Sequence, residues 1–218
     1  MKLKTTLPLI LTFLVFTTVL TADKDPSELK SIALPKVNIK NVSLSEALTK
    51  RASTRDFDGS KEISLQDLSN ILWAAAGINR PETGGRTYPS ARGNQSISVY
   101  AARKDGIYLY DHVKHSLEPV VAGDFRAATG SQSFAATAPV NLIYVANISK
   151  FDGSNADKKT FAVFDAGHCS ENVYLYCAAA RIGTVIRASV DAAALGKLLK
   201  LDKNNIVIAG QSIGHFAK

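Results

Sequence analysis

The residues best suited to chemistry in this chain lie in one short run, Arg51-Ala52-Ser53-Thr54-Arg55-Asp56-Phe57. Two guanidiniums and two hydroxyls fall within five residues, and together they can surround one phosphate group. Arginine supplies a planar, permanently charged fork for bidentate contact, and serine or threonine adds a short hydrogen-bond donor. The run therefore predicts a site for an anionic group, with a solvated basic surface as the alternative.

Three later segments carry residues that could complete such a site. They are Trp73-Ala74-Ala75-Ala76-Gly77-Ile78-Asn79-Arg80, Arg86-Thr87-Tyr88-Pro89-Ser90-Ala91-Arg92 and Gly183-Thr184-Val185-Ile186-Arg187-Ala188. The second lies in a long predicted loop, residues 79–94, which contains two prolines and three arginines. A loop of this length inside a compact domain is usually either functional or disordered.

The N-terminus has the pattern of an export signal. Lys2 and Lys4 precede an uncharged run over residues 7–20, and the small residue Ala22 follows before a polar stretch. This order predicts a signal peptide over residues 1–22 and an exported, periplasmic protein. The alternative is an uncleaved membrane anchor with the domain in the cytoplasm, and only then would the protein contact a membrane.

Length and composition predict one globular domain. The chain has 218 residues, of which 46% are hydrophobic and 21% charged. The formal net charge of +7 falls to +5 when the two lysines of the predicted signal are removed. The basic residues are scattered and have no interleaved aromatics, so no nucleic-acid partner is expected.

The cysteines and histidines do not form a metal or disulfide site. Cys169 and Cys177 lie eight residues apart in one predicted helix, about 12 Å at 1.5 Å per residue, so we interpret them as small core residues. The histidines show no metal-ligand spacing, and no metal is expected. His112 and His115, beside a predicted hairpin, are expected to be solvated.

The first half of the domain reads as helices followed by strands. Residues 23–42 look like a linker or surface arm, and 43–50 like a short helix that leads into the basic run. Ser64 and Asp67 resemble a capping box for a helix that ends at Gly77. Strands are predicted at 96–103, 107–110 and 116–121, with a helical stretch at 125–129.

The second half contains the longest helix. A nearly continuous apolar run at residues 139–146 predicts a buried central strand, and residues 151–159 are predicted to form a polar loop. A helix at 161–182 is apolar around much of its circumference, so it should pack centrally or against a partner chain. Four polar residues interrupt it, and we interpret them as satisfied at helix or subunit contacts: Asp165, His168, Glu171 and Asn172.

A last helix (191–199) and strand (206–210) complete an order of elements that fits an α+β fold better than a regular βαβ series.

The order and spacing of the sequence motifs resemble those of the nitroreductase-like FMN-dependent flavoproteins, and in particular the branch that includes the thiazole/oxazole dehydrogenases of peptide maturation. Besides the segments quoted above, the resemblance includes Asp165-Ala166-Gly167-His168 and Glu171-Asn172-Val173-Tyr174-Leu175-Tyr176. It covers residues 43–218, which we take as the nitroreductase-like domain.

The resemblance implies a mostly antiparallel central sheet flanked by helices, in an intertwined homodimer with one FMN in each of two interface pockets. By similarity, Arg51 and Ser53 would hold the flavin phosphate. Arg55 would reach the ribityl chain or the N1–O2 edge of the ring. A positive charge there favours the reduced flavin, because two-electron reduction places negative charge on N1 and O2.

Further contacts are implied for residues distant in sequence. Pro89, Ser90 and Ala91 would line the ring from the other subunit, and the backbone of Arg187 and Ala188 would approach N5. Lys218 falls where the family often has a basic residue at the phosphate. There are two departures: Gly93 stands where Asn is frequent, so that Asn94 would substitute by a shift of one residue, and Ala188 replaces a frequent Gly.

The implied activity is an FMN-dependent oxidoreductase using ping-pong, two-electron chemistry. A small-molecule donor would reduce the flavin, and a quinone, a nitroaromatic or a similar acceptor would reoxidise it. No side chain stands out as a catalytic acid or base. The alternatives are a flavin-binding or interaction protein without turnover, and an azoline dehydrogenase acting on peptides.

Overall fold

A computed structural model describes residues 29–217. The predicted signal peptide and Lys218 lie outside these residues. The described residues form nine strands: β1 (Ile32–Ala33), β2 (Ile78–Arg80), β3 (Gly85–Arg86), β4 (Ile97–Ala102), β5 (Gly106–Asp111), β6 (Ser116–Ala122), β7 (Val140–Asn147), β8 (Gly183–Arg187) and β9 (Asn205–Gly214). Seven of them make one antiparallel sheet in the order β1-β6-β5-β4-β7-β9-β8, while β2 and β3 form a separate ribbon.

Helices cover this sheet. They are α1 (Leu44–Lys50), α2 (Leu65–Ala76), α3 (Phe134–Thr137), α4 (Asn155–Ala180) and α5 (Ala192–Leu198). Ser64 caps α2 and Gly77 ends it, as the sequence predicts, and Ser43 caps α1. The α+β class and the mostly antiparallel sheet are confirmed. Within residues 29–217, no helix combines the length and apolar character needed to span a membrane.

The core lies on both faces of the sheet, and β7 runs through its middle. Leu142 and Tyr144 face α2 and α4, whereas Ile143 and Val145 pack with Leu195 of α5. Successive side chains of a strand point to opposite faces, so a strand with two covered faces is apolar at nearly every position. The prediction of a buried central strand is confirmed.

Helix α4 begins earlier than the sequence predicts. The prediction of a polar loop at 151–159 is wrong, because α4 starts at Asn155. Ser154 Oγ accepts a hydrogen bond from Asp157 N (3.2 Å), and Asp157 Oδ2 accepts one from Ser154 N (3.1 Å). This reciprocal cap starts the helix on an exposed turn, where the apolar periodicity that marks buried helices is absent.

Two further differences concern the second half of the chain. Residues 126–129 form only a single 3₁₀ turn, and β9 extends to Gly214, beyond the predicted end at residue 210. The extension carries polar residues that are buried but satisfied. Ser212 Oγ donates to Asn141 Oδ1 (2.6 Å), and Gln211 Nε2 donates to Thr184 Oγ1 (3.1 Å). Cys169 and Cys177 are buried and free, which confirms their interpretation as core residues.

Residues 29–42 lie along one edge of the domain. Ile32 of β1 pairs with Leu117 of β6, and Leu34 N donates to His115 O (3.1 Å). Farther on, Asn38 and the buried Asn70 exchange two hydrogen bonds, of 2.9 and 3.0 Å. This segment therefore reaches α1 in contact with the sheet edge and α2.

Candidate cofactor site

The basic run begins where α1 ends. Arg51 is the C-cap residue of α1, and its backbone N donates to Ala47 O (2.9 Å). Its side chain is exposed, and its Cζ lies 5.4 Å from the ring centroid of Tyr174 on α4. A guanidinium at this distance from an aromatic face is held by a cation–π contact, which leaves its N–H edge free for a ligand.

Tyr174 also holds the next part of the run. Its hydroxyl lies 2.8 Å from Ser53 Oγ and accepts a hydrogen bond from Ile186 N of β8 (3.0 Å). Thr54 N donates to Thr184 O (2.9 Å). The turn thus passes close to β8, and a Cβ on Gly183 would lie 3.0 Å from Thr54 Cγ2. The run is therefore a loop fixed by α4 and β8.

The two arginines of this turn have no carboxylate partner in the part of the chain that the structure describes. Among residues 29–217, no carboxylate oxygen lies within 4.0 Å of the guanidinium nitrogens of Arg51 or Arg55, and both side chains are exposed. A cavity of about 330 Å³ opens beside the turn, bordered by Thr54, Tyr174 and Arg181 among others. Two free guanidiniums and the Ser53 hydroxyl beside a cavity suit an anionic group such as a phosphate.

The second predicted segment, around Ser90, is organised by a buried carboxylate. Asp165 of α4 is fully buried. It accepts hydrogen bonds from Ser90 Oγ (2.7 Å), Ala91 N (2.9 Å) and Ser96 Oγ (3.2 Å). Three donors of this loop therefore bond to the carboxylate in place of water.

Two more residues of α4 tie down the same loop. His168 Nδ1 donates to Pro89 O (3.1 Å), and Asn172 Nδ2 donates to Thr87 O (3.2 Å). For Asp165, His168 and Asn172, the interpretation as polar groups satisfied at helix contacts is confirmed. Helix α4 therefore positions both parts of the candidate site.

The loop has an unusual backbone around Asn94. Arg92, Gly93 and Gln95 have φ values of 55°, 71° and 47°, a region that non-glycine residues rarely occupy. Gln95 N donates to Ser90 Oγ (2.8 Å), so the serine that contacts Asp165 also closes the loop. A Cβ at Gly93 would have no neighbour within 4 Å. The side chain that the family often has there would thus point into open space.

Arg187 differs from the other arginines of the candidate site. Its side chain is only 3% exposed and turns into the protein. It donates to Thr129 O (2.6 Å), Asn141 Oδ1 (2.8 Å) and Ser212 Oγ (3.2 Å). Burial lowers the pKa of Arg187 to about 10. Only the backbone of Arg187 and the exposed Ala188 can therefore face a ligand.

The structure brings some predicted site residues together and leaves others apart. Arg51, Ser53 and the end of β8 meet at Tyr174. The Ser90 loop contacts α4 at Asp165, which lies nine residues before Tyr174, about 13 Å along the helix. Within a single chain, the Ser90 loop and the basic turn therefore contact α4 at two separate points.

Sequence reasoning missed Tyr174 and Asp165 as organisers of the site. Tyr174 lies within a motif quoted for the resemblance, but its hydroxyl joins Ser53 to Ile186, residues far apart in sequence. Asp165 was recognised only as a satisfied polar residue. A fully buried aspartate needs partners nearby, and this requirement is the signal that could have identified the loop it holds.

Comparison with known proteins points to the same family as the sequence motifs do. A family model described as the nitroreductase family matches residues 48–215. The crystal structure of a provisionally named nitroreductase from Ralstonia eutropha JMP134 is 40% identical to this chain. It superposes with a TM-score of 0.81, covering 86% of this chain and 90% of that one.

Two more distant structures share the fold. The Escherichia coli microcin synthetase McbBCD complex with truncated pro-MccB17 matches with a TM-score of 0.66 at 18% identity, over 95% of this chain and 85% of that one. A provisionally named nitroreductase from Desulfovibrio desulfuricans, solved in complex with FMN, matches with a TM-score of 0.60 at 20% identity, over 82% and 89%. The resemblance inferred from the motifs is confirmed, and the chain belongs to the nitroreductase family.

Proposed function

We propose that this chain is an FMN-dependent oxidoreductase that acts as a homodimer. The observation that carries the proposal is the basic turn, where Arg51 and Arg55 lack a carboxylate partner within residues 29–217 and Ser53 is fixed beside them by Tyr174. A phosphate would supply the missing negative charge at this turn. The family assignment and the FMN complex of the Desulfovibrio desulfuricans relative support FMN as the ligand.

In this proposal Arg51 and Ser53 hold the phosphate, while Arg55 holds the ribityl chain or the N1–O2 edge. The backbone of Arg187 and Ala188 contacts the ring near N5. Pro89, Ser90, Ala91 and Asn94 line the ring from the second subunit, and Lys218 adds a positive charge at the phosphate. When bound, FMN supplies ping-pong, two-electron transfer between a small-molecule donor and an acceptor such as a quinone or a nitroaromatic.

The protein itself holds the ligand-binding groups in place and supplies positive charge at the site. Tyr174 holds Ser53 at a fixed distance from β8, so the phosphate-binding hydroxyl is already in place before a ligand arrives. Asp165 likewise holds the backbone of Ala91 in place by accepting a hydrogen bond from its N–H. The positive charge of Arg55 favours an anionic ring, as a reduced flavin is.

The purified protein is expected to bind FMN. A flavin absorbance band in the protein as isolated, or quenching of flavin fluorescence when FMN is added to the apoprotein, would demonstrate it. Anaerobic addition of NADH, NADPH or a quinol then separates an oxidoreductase from a protein that binds flavin without turnover, because only the former bleaches the band. A colourless protein that also fails to take up added FMN would contradict the proposal.

The homodimer is supported by apolar side chains that the chain leaves exposed. On α4, Val163 and Phe164 are 56% and 60% exposed, and on α1, which packs against α4, Leu44 and Leu48 are 65% and 54% exposed. Phe216 is 49% exposed. Exposed apolar side chains that lie along two packed helices are typical of a surface that another protein covers. We propose that a second copy of this chain covers it.

The variant Phe164→Asp is expected to be monomeric and to lose most FMN binding, because a charge in an apolar interface is costly and the proposed site needs both subunits. Sedimentation velocity at micromolar concentration and FMN titration would measure both effects. Val113→Asp is the matched control, since Val113 is 73% exposed on the turn between β5 and β6 and should leave the dimer unchanged. A dimeric Phe164→Asp protein with wild-type FMN affinity would contradict the proposed interface.

A further inference from the structure

Arg86, at the end of β3, is a buried cation with too few partners. It is 8% exposed, and Nη1 donates to Ile97 O (2.8 Å). Nη2 lies 2.6 and 2.8 Å from the two ring nitrogens of His112. Its Nε is buried without any hydrogen-bond partner, and no carboxylate oxygen within the described part of the chain is within 4.0 Å of it. A guanidinium has five N–H groups, and that of Nε has no partner among the described residues.

The other buried arginine shows that this fold can satisfy a guanidinium without a ligand. All three nitrogens of Arg187 donate to the neutral acceptors Thr129, Asn141 and Ser212. Each nitrogen of the Arg187 guanidinium therefore has a partner from the protein. Nε of Arg86 has none among the described residues, and an unsatisfied buried polar group is costly unless a water or a ligand completes it.

A cavity of about 260 Å³ adjoins Arg86. It lies between the end of α2 and strands β4 and β5, and much of its wall is apolar, from Ala76, Ile97, Val99 and Leu109. One water occupies about 30 Å³ of liquid, so the cavity has room for a small organic molecule. None of the residues that border the cavity is among those proposed to contact the flavin, and strand β4 is three positions, about 14 Å, from β8 in the sheet. The cavity is therefore distinct from the proposed flavin site.

His112 borders the same cavity as a neutral group. The expectation that His112 and His115 are solvated is wrong: His112 is half-buried against Arg86, and His115 Nε2 lies 2.8 Å from Ser69 Oγ. Burial, and then the charge of Arg86, lowers the pKa of His112 to about 4. At neutral pH the imidazole therefore accepts from Arg86 and adds no charge of its own.

The acidic residues at the cavity already have partners. Asp111 Oδ1 accepts from Val113 N and Lys114 N (2.9 Å each), and these bonds help to lower its pKa. Lys114 Nζ lies 3.5 Å from Asp111 Oδ2 and 3.8 Å from Glu118 Oε1. Among the described residues that border the cavity, the charge without a counter-charge at contact distance is that of Arg86, so the missing group is an anion.

We propose that the cavity beside Arg86 binds a small monocarboxylate with an apolar body, about the size of benzoate. Its carboxylate accepts from the free N–H groups of Arg86, and its body packs against Ala76, Val99 and Leu109. The charge-assisted hydrogen bond favours an anion over a neutral molecule of the same shape, and the apolar wall favours an organic acid over an inorganic ion.

Benzoate is the probe. Its binding to the full protein, measured by calorimetry or by ligand-detected NMR, is expected to persist at saturating FMN, and neutral benzamide should bind at least ten-fold more weakly. Arg86→Gln should weaken benzoate binding by roughly ten- to a hundred-fold. Equal binding of benzoate and benzamide, or no binding of benzoate, would overturn the proposal.

Because replacing a buried arginine can unfold a protein, a second variant tests the cavity itself. Leu109 is half-buried at the cavity wall, and Leu109→Phe should fill part of the space and weaken benzoate binding at least ten-fold. Val113→Phe adds an aromatic ring to the exposed turn after the same strand and should leave binding unchanged, with circular dichroism confirming that both variants fold. The proposal fails if both variants bind benzoate equally well, or if Arg51→Ala removes binding while Leu109→Phe does not.

Discussion

Replacing Asp165 by alanine is expected to lower the free energy of unfolding by about 3 kcal/mol. The carboxylate is fully buried and accepts from Ser90 Oγ, Ala91 N and Ser96 Oγ. Alanine would leave these donors without their acceptor and would open a small cavity in the core. The loop at residues 89–95, which bends through positive φ values, would lose the contact that holds it.

Urea denaturation followed by circular dichroism measures this cost. Asp157→Ala is the matched control: Asp157 lies on the same helix but on an exposed turn, where it caps the N-terminus, and its loss should cost about 1 kcal/mol. Asp165→Asn keeps an acceptor oxygen but loses the charge, so its cost should lie between the two. Equal costs for Asp165→Ala and Asp157→Ala would show that Asp165 does not organise the loop.

The parts of the fold that could be predicted are those set by local signals. Helix α2 carries its own boundaries, with Ser64 at its start and Gly77 at its end. The burial of strand β7 can be predicted from its own sequence, because its eight residues are largely apolar, as is typical of a strand that is covered on both faces. In both cases, residues adjacent in sequence are enough to predict the element, and contacts with distant residues only add to its packing.

The parts that could not be predicted depend on distant partners. In β8 and β9 the polar residues Thr184, Gln211 and Ser212 are buried, because they satisfy one another and Asn141 across the sheet. No local pattern distinguishes such a strand from a polar loop. The start of α4 was missed for another reason: its cap at Ser154 is local, but its first turns are exposed and show no apolar period.

The same division applies to the candidate site. The basic turn and the Ser90 loop could be found as residue runs, because their chemistry is concentrated in a few neighbouring positions. Their supports, Tyr174 and Asp165, are separated from them by 121 and 75 residues. The pairing of Arg86 with His112 likewise spans 26 residues and joins β3 to the turn after β5. Such contacts follow from the sheet topology and not from any motif.

The variant Arg51→Ala is expected to bind FMN about ten- to a hundred-fold more weakly and riboflavin with little change. If Arg51 grips the phosphate, its loss removes a charge-assisted pair worth roughly 1.5–3 kcal/mol, and riboflavin lacks the phosphate. The fold should persist, because the exposed guanidinium contacts only the face of Tyr174 and has no salt bridge among the described residues. Titration with both flavins, alongside circular dichroism, measures these effects.

Lys203→Ala is the control for net charge, because Lys203 is exposed on the turn before β9, away from the basic turn. It removes one positive charge, so an equal loss of FMN affinity in both variants would indicate long-range attraction instead of contact. An equal loss for FMN and riboflavin would place Arg51 at the ring or make it a support of the loop. If Arg51→Ala binds FMN as well as the wild type does, the turn is a solvated basic surface and the phosphate site must lie elsewhere.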